Sequence, residues 1–224
     1  MNETNQSKER VLSCFDCGAY HCDKRQSEYP DFCLTAHVDP ERLKEIKSLY
    51  LEDPKISKLF HAAAEVEGRY YGKLTRVEET ILFARKIGAK KIGIASCMGF
   101  INEATAFTKV LQAKGFDDYI CVACKAGSID KPEVGIPDEL KVRPGNFEPC
   151  CNPILQAQIL NDAKTELNVL IGLCVGHDSL FIKYAQAATT VLAVKDRVLV
   201  HNPMAALYAS GSYYRRLLQK SEIE

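Results

Sequence analysis

The sequence carries no excess of charge of either sign: 29 Lys and Arg balance 29 Asp and Glu over 224 residues. A neutral chain lacks the summed positive field that non-specific nucleic-acid binding relies on, so no nucleic-acid partner is expected. Long apolar runs are absent too. The longest, Val169 to Val175, is too short to span a bilayer, so no membrane partner is expected. Met1 to Arg10 is polar and has no apolar core of a secretory signal. Neither the dinucleotide glycine fingerprint nor a phosphate P-loop occurs, and no nucleotide is expected. Low-complexity tracts are missing as well.

Cysteine is what the sequence has in quantity. Its ten cysteines are about 4–5% of the chain, below the roughly 8–10% that marks a short disulfide scaffold. With no secretory signal, the expectation is a cytoplasmic protein whose thiols are reactive or bind metal. Their distribution is uneven. Four fall between positions 14 and 33, none between 34 and 96, and six between 97 and 174.

The cysteine-free stretch has helical periodicity. Asp39-Pro40 offers a cap followed by a proline at the first helical position, and Leu43, Ile46 and Leu49 recur at helical spacing. A short helix is expected from Asp53-Pro54, and a third from about Thr75 to Ile87, closed by Gly88. Beyond Gly88, apolar runs at 91–95, 119–123, 168–172 and 189–194 alternate with helical stretches. The connection from Gly127 to Pro149 reads as loop, with room for a short edge strand, and Asn202-Pro203 opens a terminal helix. The expected fold is α/β, a three-layer parallel sheet of about four or five strands with flanking helices. A small Cys-rich metal-binding segment, 1–38, precedes the α/β domain at 39–224, which is helical over 39–88 and built of βαβ units over 89–224.

Cys14 and Cys17 form a C-x2-C pair, with Cys22 and Cys33 following. Four thiolates in so short a segment suit a tetrahedral zinc or an iron–sulfur cluster, and the spacing does not choose between them. The segment has few large apolar residues, so metal binding would supply its folding free energy. His21 and His37 are substitute ligands or ordinary surface histidines.

Cys97, Cys124 and Cys174 each fall at the carboxyl end of an expected strand, and Cys151 just precedes a helix at Asn152-Pro153. Parallel sheets gather such positions into one crevice. These four form a candidate second metal or iron–sulfur site. Alternatively, Cys174 or Cys151 is a catalytic thiolate favoured by a helix amino terminus, with His177 as proton acceptor. His201-Asn202-Pro203 repeats the Cys151-Asn152-Pro153 arrangement at a second helix start. Cys121 reads as core, and Cys150 has no assigned role. Lys195 and Arg197 read either as contacts for an anionic substrate or, with Asp196, as a solvated charged turn.

Three phrases then resemble the family called domain of unknown function 1847. They are Cys151 to Asn161, Asn168 to Phe181 and Val194 to Pro203, and the cysteine-rich start is similar as well. Members are labelled predicted metal-binding proteins, so the resemblance implies metal binding but no reaction. Residues matching its phrases are Cys151, Cys174, Gly176, His177, Asp178, Lys195, Asp196, Arg197 and His201.

Three functions are expected from these residues. One is a metal-binding protein holding zinc or an iron–sulfur cluster at Cys14/Cys17/Cys22/Cys33, acting in redox or metal handling. Another is a cysteine-dependent sulfur- or electron-transfer enzyme with a small anionic or sulfur-containing substrate. The last is a binding module with a structural zinc. No redox partner is named by the sequence.

Overall fold

The computed structural model describes residues 11–24 and 28–219. The chain divides into two compact units, Met1–His61 and Ala62–Glu224.

In the first unit, Cys14–Asp16 is a single 3-10 turn in which the Cys17 N–H donates to the Cys14 carbonyl at 3.2 Å. One helical turn, α1 (His21–Lys24), follows. Helix α2 (Pro40–Glu52) starts where the sequence signals it, with the Asp39 carboxylate accepting from the Glu41 N–H at 3.0 Å. Helix α3 (Pro54–Tyr70) starts in this unit and runs past its end at His61; at 17 residues it is longer than the expected short helix. Its Ala62–Ala64 run and Glu65 are strong helix formers, and Gly68 costs only about 1 kcal/mol. Tyr50 and Phe60 stack at 4.1 Å. Among the described residues of this unit, none is buried.

The second unit is the α/β body. Helix α4 (Arg76–Lys86) is capped by Thr75, and Glu78 reaches back to the Thr75 N–H at 2.8 Å. Strands β1 (Lys91–Ser96), β2 (Asp118–Ala123), β3 (Leu167–Leu173) and β4 (Ala188–Val194) form one parallel sheet in the order β2-β1-β3-β4. Between them lie α5 (Ile101–Ala113), α6 (Pro153–Asp162) and α7 (His177–Tyr184). The chain steps from β1 to β2 in one direction and then crosses back to β3 and β4. With right-handed crossovers, α5 covers one face while α6 and α7 pack together on the other, giving three layers.

The inner strands β1 and β3 are buried almost throughout, whereas β2 and β4 are half-buried edges. Ile92, Ile94, Val169, Leu170 and Ile171 form the centre of the core. Four strands form, within the expected range. The connection at 127–149 forms no edge strand, only one antiparallel bridge between Asp130 and Pro149. Its seven prolines and glycines cannot sustain a ladder, and two 3-10 turns fill it instead. The terminal helix α8 (Met204–Tyr208) is only five residues long, since Gly211 and the turns around it end it. Among the described residues, no helix is long and apolar enough to cross a membrane.

Candidate functional site

All four strands deliver a polar or sulfur-bearing residue to the carboxyl edge of the sheet. Cys97 follows β1 and its N–H donates to the Ile171 carbonyl at 3.0 Å; Cys124 follows β2 and donates to the Ser96 carbonyl at 2.8 Å. Cys174 follows β3, and Lys195 follows β4 with its N–H on the Leu173 carbonyl at 3.1 Å. Because Cys97, Cys124 and Lys195 each extend the sheet ladder by one bond, the positions of their side chains are inherited from the sheet. The chain reverses direction between β1 and β3, the switch point where open α/β sheets hold ligands.

Cys151 arrives by a different route. The Asn152 N–H donates to the Cys124 carbonyl at 2.8 Å, while the Asn152 side chain caps α6 at the Leu155 N–H, 3.1 Å away. The loop that delivers it is clamped by Lys141, whose ammonium contacts Asp138 at 3.0 Å, Asp130 at 3.4 Å and the Asn146 carbonyl at 2.8 Å. Beneath the site, fully buried Gln156 of α6 donates from Nε2 to the Ser96 and Val122 carbonyls at 3.1 and 2.7 Å. It ties together the ends of the two strands that carry Cys97 and Cys124.

Three sulfurs therefore stand in a chain. Cys151 Sγ lies 3.8 Å from Cys124 Sγ, and Cys97 is in hydrogen-bond contact with Cys124 on its other side. Cys124 also accepts from the Met98 N–H at 3.3 Å. Cys97 and Cys124 are buried, whereas Cys151 is only half-buried.

The electrostatics divide the three. Sharing a proton with its neighbours holds Cys124 as a thiol, its pKa raised by contact with Cys151, then Cys97, then burial. The same contact lowers both flanks to about 5, aided at Cys97 by the Gly99 N–H and Lys195, and at Cys151 by Lys125 and His177. Cys124 has one S–H, which serves one flank at a time. Three of the four sulfur positions have a cation: Lys195 at Cys97, Lys125 at Cys151, and Arg197, whose Nη2 donates to Cys174 Sγ at 3.3 Å. Lys195 and Arg197 are thus turned toward the thiols and are not simply a solvated turn.

Lys195 is held by a ring. Its ammonium sits 4.3 Å from the Phe100 centroid, and the His201 ring packs on Phe100 at 4.4 Å. Gly172 of β3 makes room for Phe100. It has φ +67°, and a Cβ there would lie 2.2 Å from the ring. His201 sits at φ +64° after Val200 at φ +51°, and its Nδ1 accepts the Asp196 N–H at 3.1 Å. His201 is thereby committed to the turn and the Phe100 contact, which differs from the helix-start role that its Asn202-Pro203 context suggests.

The strand-end group predicted from sequence is thus partly assembled: Cys97, Cys124 and Cys151 meet, Cys174 joins through Arg197, and His177 acts on Cys151. Cys121 is half-buried on the β2 edge, where burial pushes its thiol pKa up. The Cys150 N–H anchors the loop at the Ile129 carbonyl, 2.8 Å away. Sequence reading missed Lys125, Phe100, Gly172 and Gln156. The signal available for Lys125 was its place directly after a strand-end cysteine. A separate cleft of about 490 Å³, lined by Val66, Tyr71, Arg76, Phe83 and Thr190, contains no thiol.

In the first unit, Cys14 and Cys22 are exposed while Cys17 and Cys33 are half-buried. The Ala36 N–H donates to the Cys33 carbonyl at 3.1 Å, and its nearness to the thiol lowers the Cys33 pKa. One ring nitrogen of His21 meets the Glu28 carbonyl, and His37 Nε2 meets the Asp31 carbonyl at 2.6 Å. Four thiols suit zinc or iron–sulfur chemically. Among the described residues, however, no group of three or more His, Cys, Asp or Glu stands arranged to hold a metal ion.

The family model described as "Protein of unknown function (DUF1847)" matches residues 33–192. The chain is 46% identical over 162 residues to "Uncharacterized protein MJ0455" of Methanocaldococcus jannaschii, covering 72% of this chain and 81% of that protein. No solved structure matches. The family match includes Cys97, Cys124, Cys151 and Cys174 and stops short of Lys195 and Arg197.

Proposed function

This chain belongs to the DUF1847 family, whose description names no activity, and we propose that it is a thiol-dependent electron- or sulfur-transfer protein working through Cys97, Cys124 and Cys151. The observation that carries this reading is the 3.8 Å contact between Cys124 and Cys151 within a ring of cations. A disulfide needs its sulfurs about 2.05 Å apart, so small side-chain movements suffice to join the pair. Bond formation releases two electrons and two protons, which an acceptor disulfide takes up to become a dithiol. Cys151, being the more accessible flank, meets the partner; Cys124 resolves the mixed disulfide. Cys97 is the reserve flank, able to exchange with Cys124 from the other side. His177 and the cations hold the attacking sulfur as thiolate.

The test is mild oxidation of the reduced protein with a low-molecular-weight disulfide, followed by peptide mapping. A Cys124–Cys151 or Cys97–Cys124 disulfide is expected before any other. Oxidation confined to the amino-terminal cysteines would refute the reading.

A second reading concerns the first unit. It is a metal site at Cys14, Cys17, Cys22 and Cys33, holding zinc or an iron–sulfur cluster in metal handling, redox chemistry or a structural role. It is favoured by the turn at Cys14–Cys17, the Ala36 backbone N–H that lowers the Cys33 pKa, and the lack of buried residues among those described there. Closing the four sulfurs around an ion would couple binding to local folding. Metal analysis with an anaerobic absorption spectrum tests it. Bound metal that is lost in the Cys14→Ser, Cys17→Ser double variant is expected, and unchanged metal content would sink it. A visible cluster spectrum lost instead in Cys97→Ser or Cys151→Ser would move the cluster to the sheet edge and displace the thiol reading.

A further inference from the structure

We propose that the sheet-edge site takes an anionic sulfane-sulfur donor, a small molecule whose charged end carries a chain of linked sulfurs, and that Cys151 accepts the terminal sulfur. The proposal rests on the thiol reading above and specifies its substrate class. Three cations converge on the sulfurs: Lys125 beside Cys151, Lys195 beside Cys97, and Arg197 bonded to Cys174 at 3.3 Å while also acting on Cys97 and Cys151. Arg197 is exposed and donates one hydrogen bond to a sulfur, which leaves further guanidinium N–H groups available to an incoming anion. A thiolate and an anionic donor repel one another. Cations placed between them offset that repulsion, and a redox pair exchanging only with neutral disulfides has no such need.

The three sulfurs then have separate tasks. Cys151, the half-buried flank, attacks the terminal sulfur of the donor; the donor's sulfur–sulfur bond breaks and its electron pair leaves with the shortened anion. With thiosulfate the leaving anion is sulfite, and Cys151 becomes a persulfide of unchanged charge. Cys124, already 3.8 Å from Cys151, next attacks the inner sulfur, expels hydrosulfide and forms the Cys124–Cys151 disulfide. An external dithiol restores both thiols and is itself oxidised to a disulfide. Cys174 has Arg197 but no sulfur neighbour among the contacts described, so a persulfide there would have no resolving thiol.

The experiment loads the reduced full-length protein with sodium tetrasulfide, thiosulfate or glutathione persulfide, traps thiols by alkylation, and maps added sulfur by mass spectrometry. Cys124→Ser is included to accumulate the persulfide. One added sulfur on Cys151 is expected with at least one anionic donor, abolished in Cys151→Ser. Arg197→Ala should raise the concentration for half-maximal loading about five-fold, as loss of one exposed ionic contact does. A neutral trisulfide should load wild type and Arg197→Ala alike. Added sulfur on Cys174 or the amino-terminal thiols in place of Cys151, or loading by anionic donors unaffected in Arg197→Ala, would overturn the proposal. If oxidation yields the Cys124–Cys151 disulfide but no anionic donor loads Cys151, this substrate class is wrong and the thiol reading survives. Failure of both removes the reading underneath.

Discussion

The reactivity of Cys151 should have a pH profile that no ordinary thiol shares. Its pKa is lowered to about 5 by the Cys124 contact, Lys125 and His177. At pH 6 a thiol of pKa near 8.5 is roughly 0.3% thiolate, whereas one near 5 is roughly 90%, a gain of about 300-fold. Basicity and nucleophilicity fall together, however. With a Brønsted slope of about 0.45, some 3.5 pH units of lost basicity make each thiolate about 40-fold less reactive. The net result at pH 6 is a Cys151 about eight-fold faster than a free cysteine peptide toward a neutral aromatic disulfide. At pH 9 the peptide is mostly thiolate, and the order inverts to about 30-fold in its favour. The assay follows modification of Cys151 by peptide mass spectrometry from pH 4 to 9, beside the peptide. The rate should level off above about pH 6 and fall below 5. Cys124→Ala removes the shared proton and should lift the inflection by more than one pH unit. A Cys151 profile that keeps rising through pH 8.5 would refute the reasoning.

Three further outcomes follow from contacts around the site. Gln156→Leu removes the side-chain donor of the Val122 carbonyl and one of the two donors of the Ser96 carbonyl, which keeps the Cys124 N–H, and should cost roughly 1–3 kcal/mol in urea unfolding. An unfolding midpoint equal to wild type would show those contacts to be idle. Gly172→Ala combines a left-handed backbone with a Cβ inside the Phe100 ring; about 2–4 kcal/mol is expected, with slower Cys97 modification at pH 6 as Lys195 loses its platform. Stability loss without any change at Cys97 would separate Phe100 from the sulfur chemistry. Asp138 and Asp130 have lowered pKa values, the first chiefly through Lys141 and the second chiefly through the Glu148 N–H. Their stabilisation of the 127–149 loop is therefore complete above the ordinary carboxylate value of about 3.9 and is lost as pH falls through their lower folded values. Limited proteolysis by pepsin should cut this loop early below pH 3, and resistance there would contradict the clamp.

What the sequence conveyed and what it withheld differ by the range of the interaction. Strand ends are local signals: apolar runs stopping at Cys97, Cys124 and Cys174 place three thiols at one edge once the sheet is known to be parallel. The Asn152-Pro153 cap is equally local and correctly sets Cys151 at the start of α6. Which sulfurs touch is a different kind of fact. Cys151 meets Cys124 because the Asn152 N–H bonds the Cys124 carbonyl, and because Lys141 clamps a loop whose proline and glycine content reads only as irregular. The Lys195–Phe100–Gly172 stack joins three elements, and a glycine inside an apolar strand run gives no hint that an aromatic ring fills its place. The length of α3 is the converse case: the short helix expected from Asp53-Pro54 runs on through an alanine run of high helix propensity and past Gly68 to Tyr70. Residue type announced the chemistry of this site. The pairing that makes one thiol a proton holder and its neighbours nucleophiles comes from hydrogen bonds between segments more than twenty residues apart, as Cys151 to Cys124 illustrates at a separation of 27.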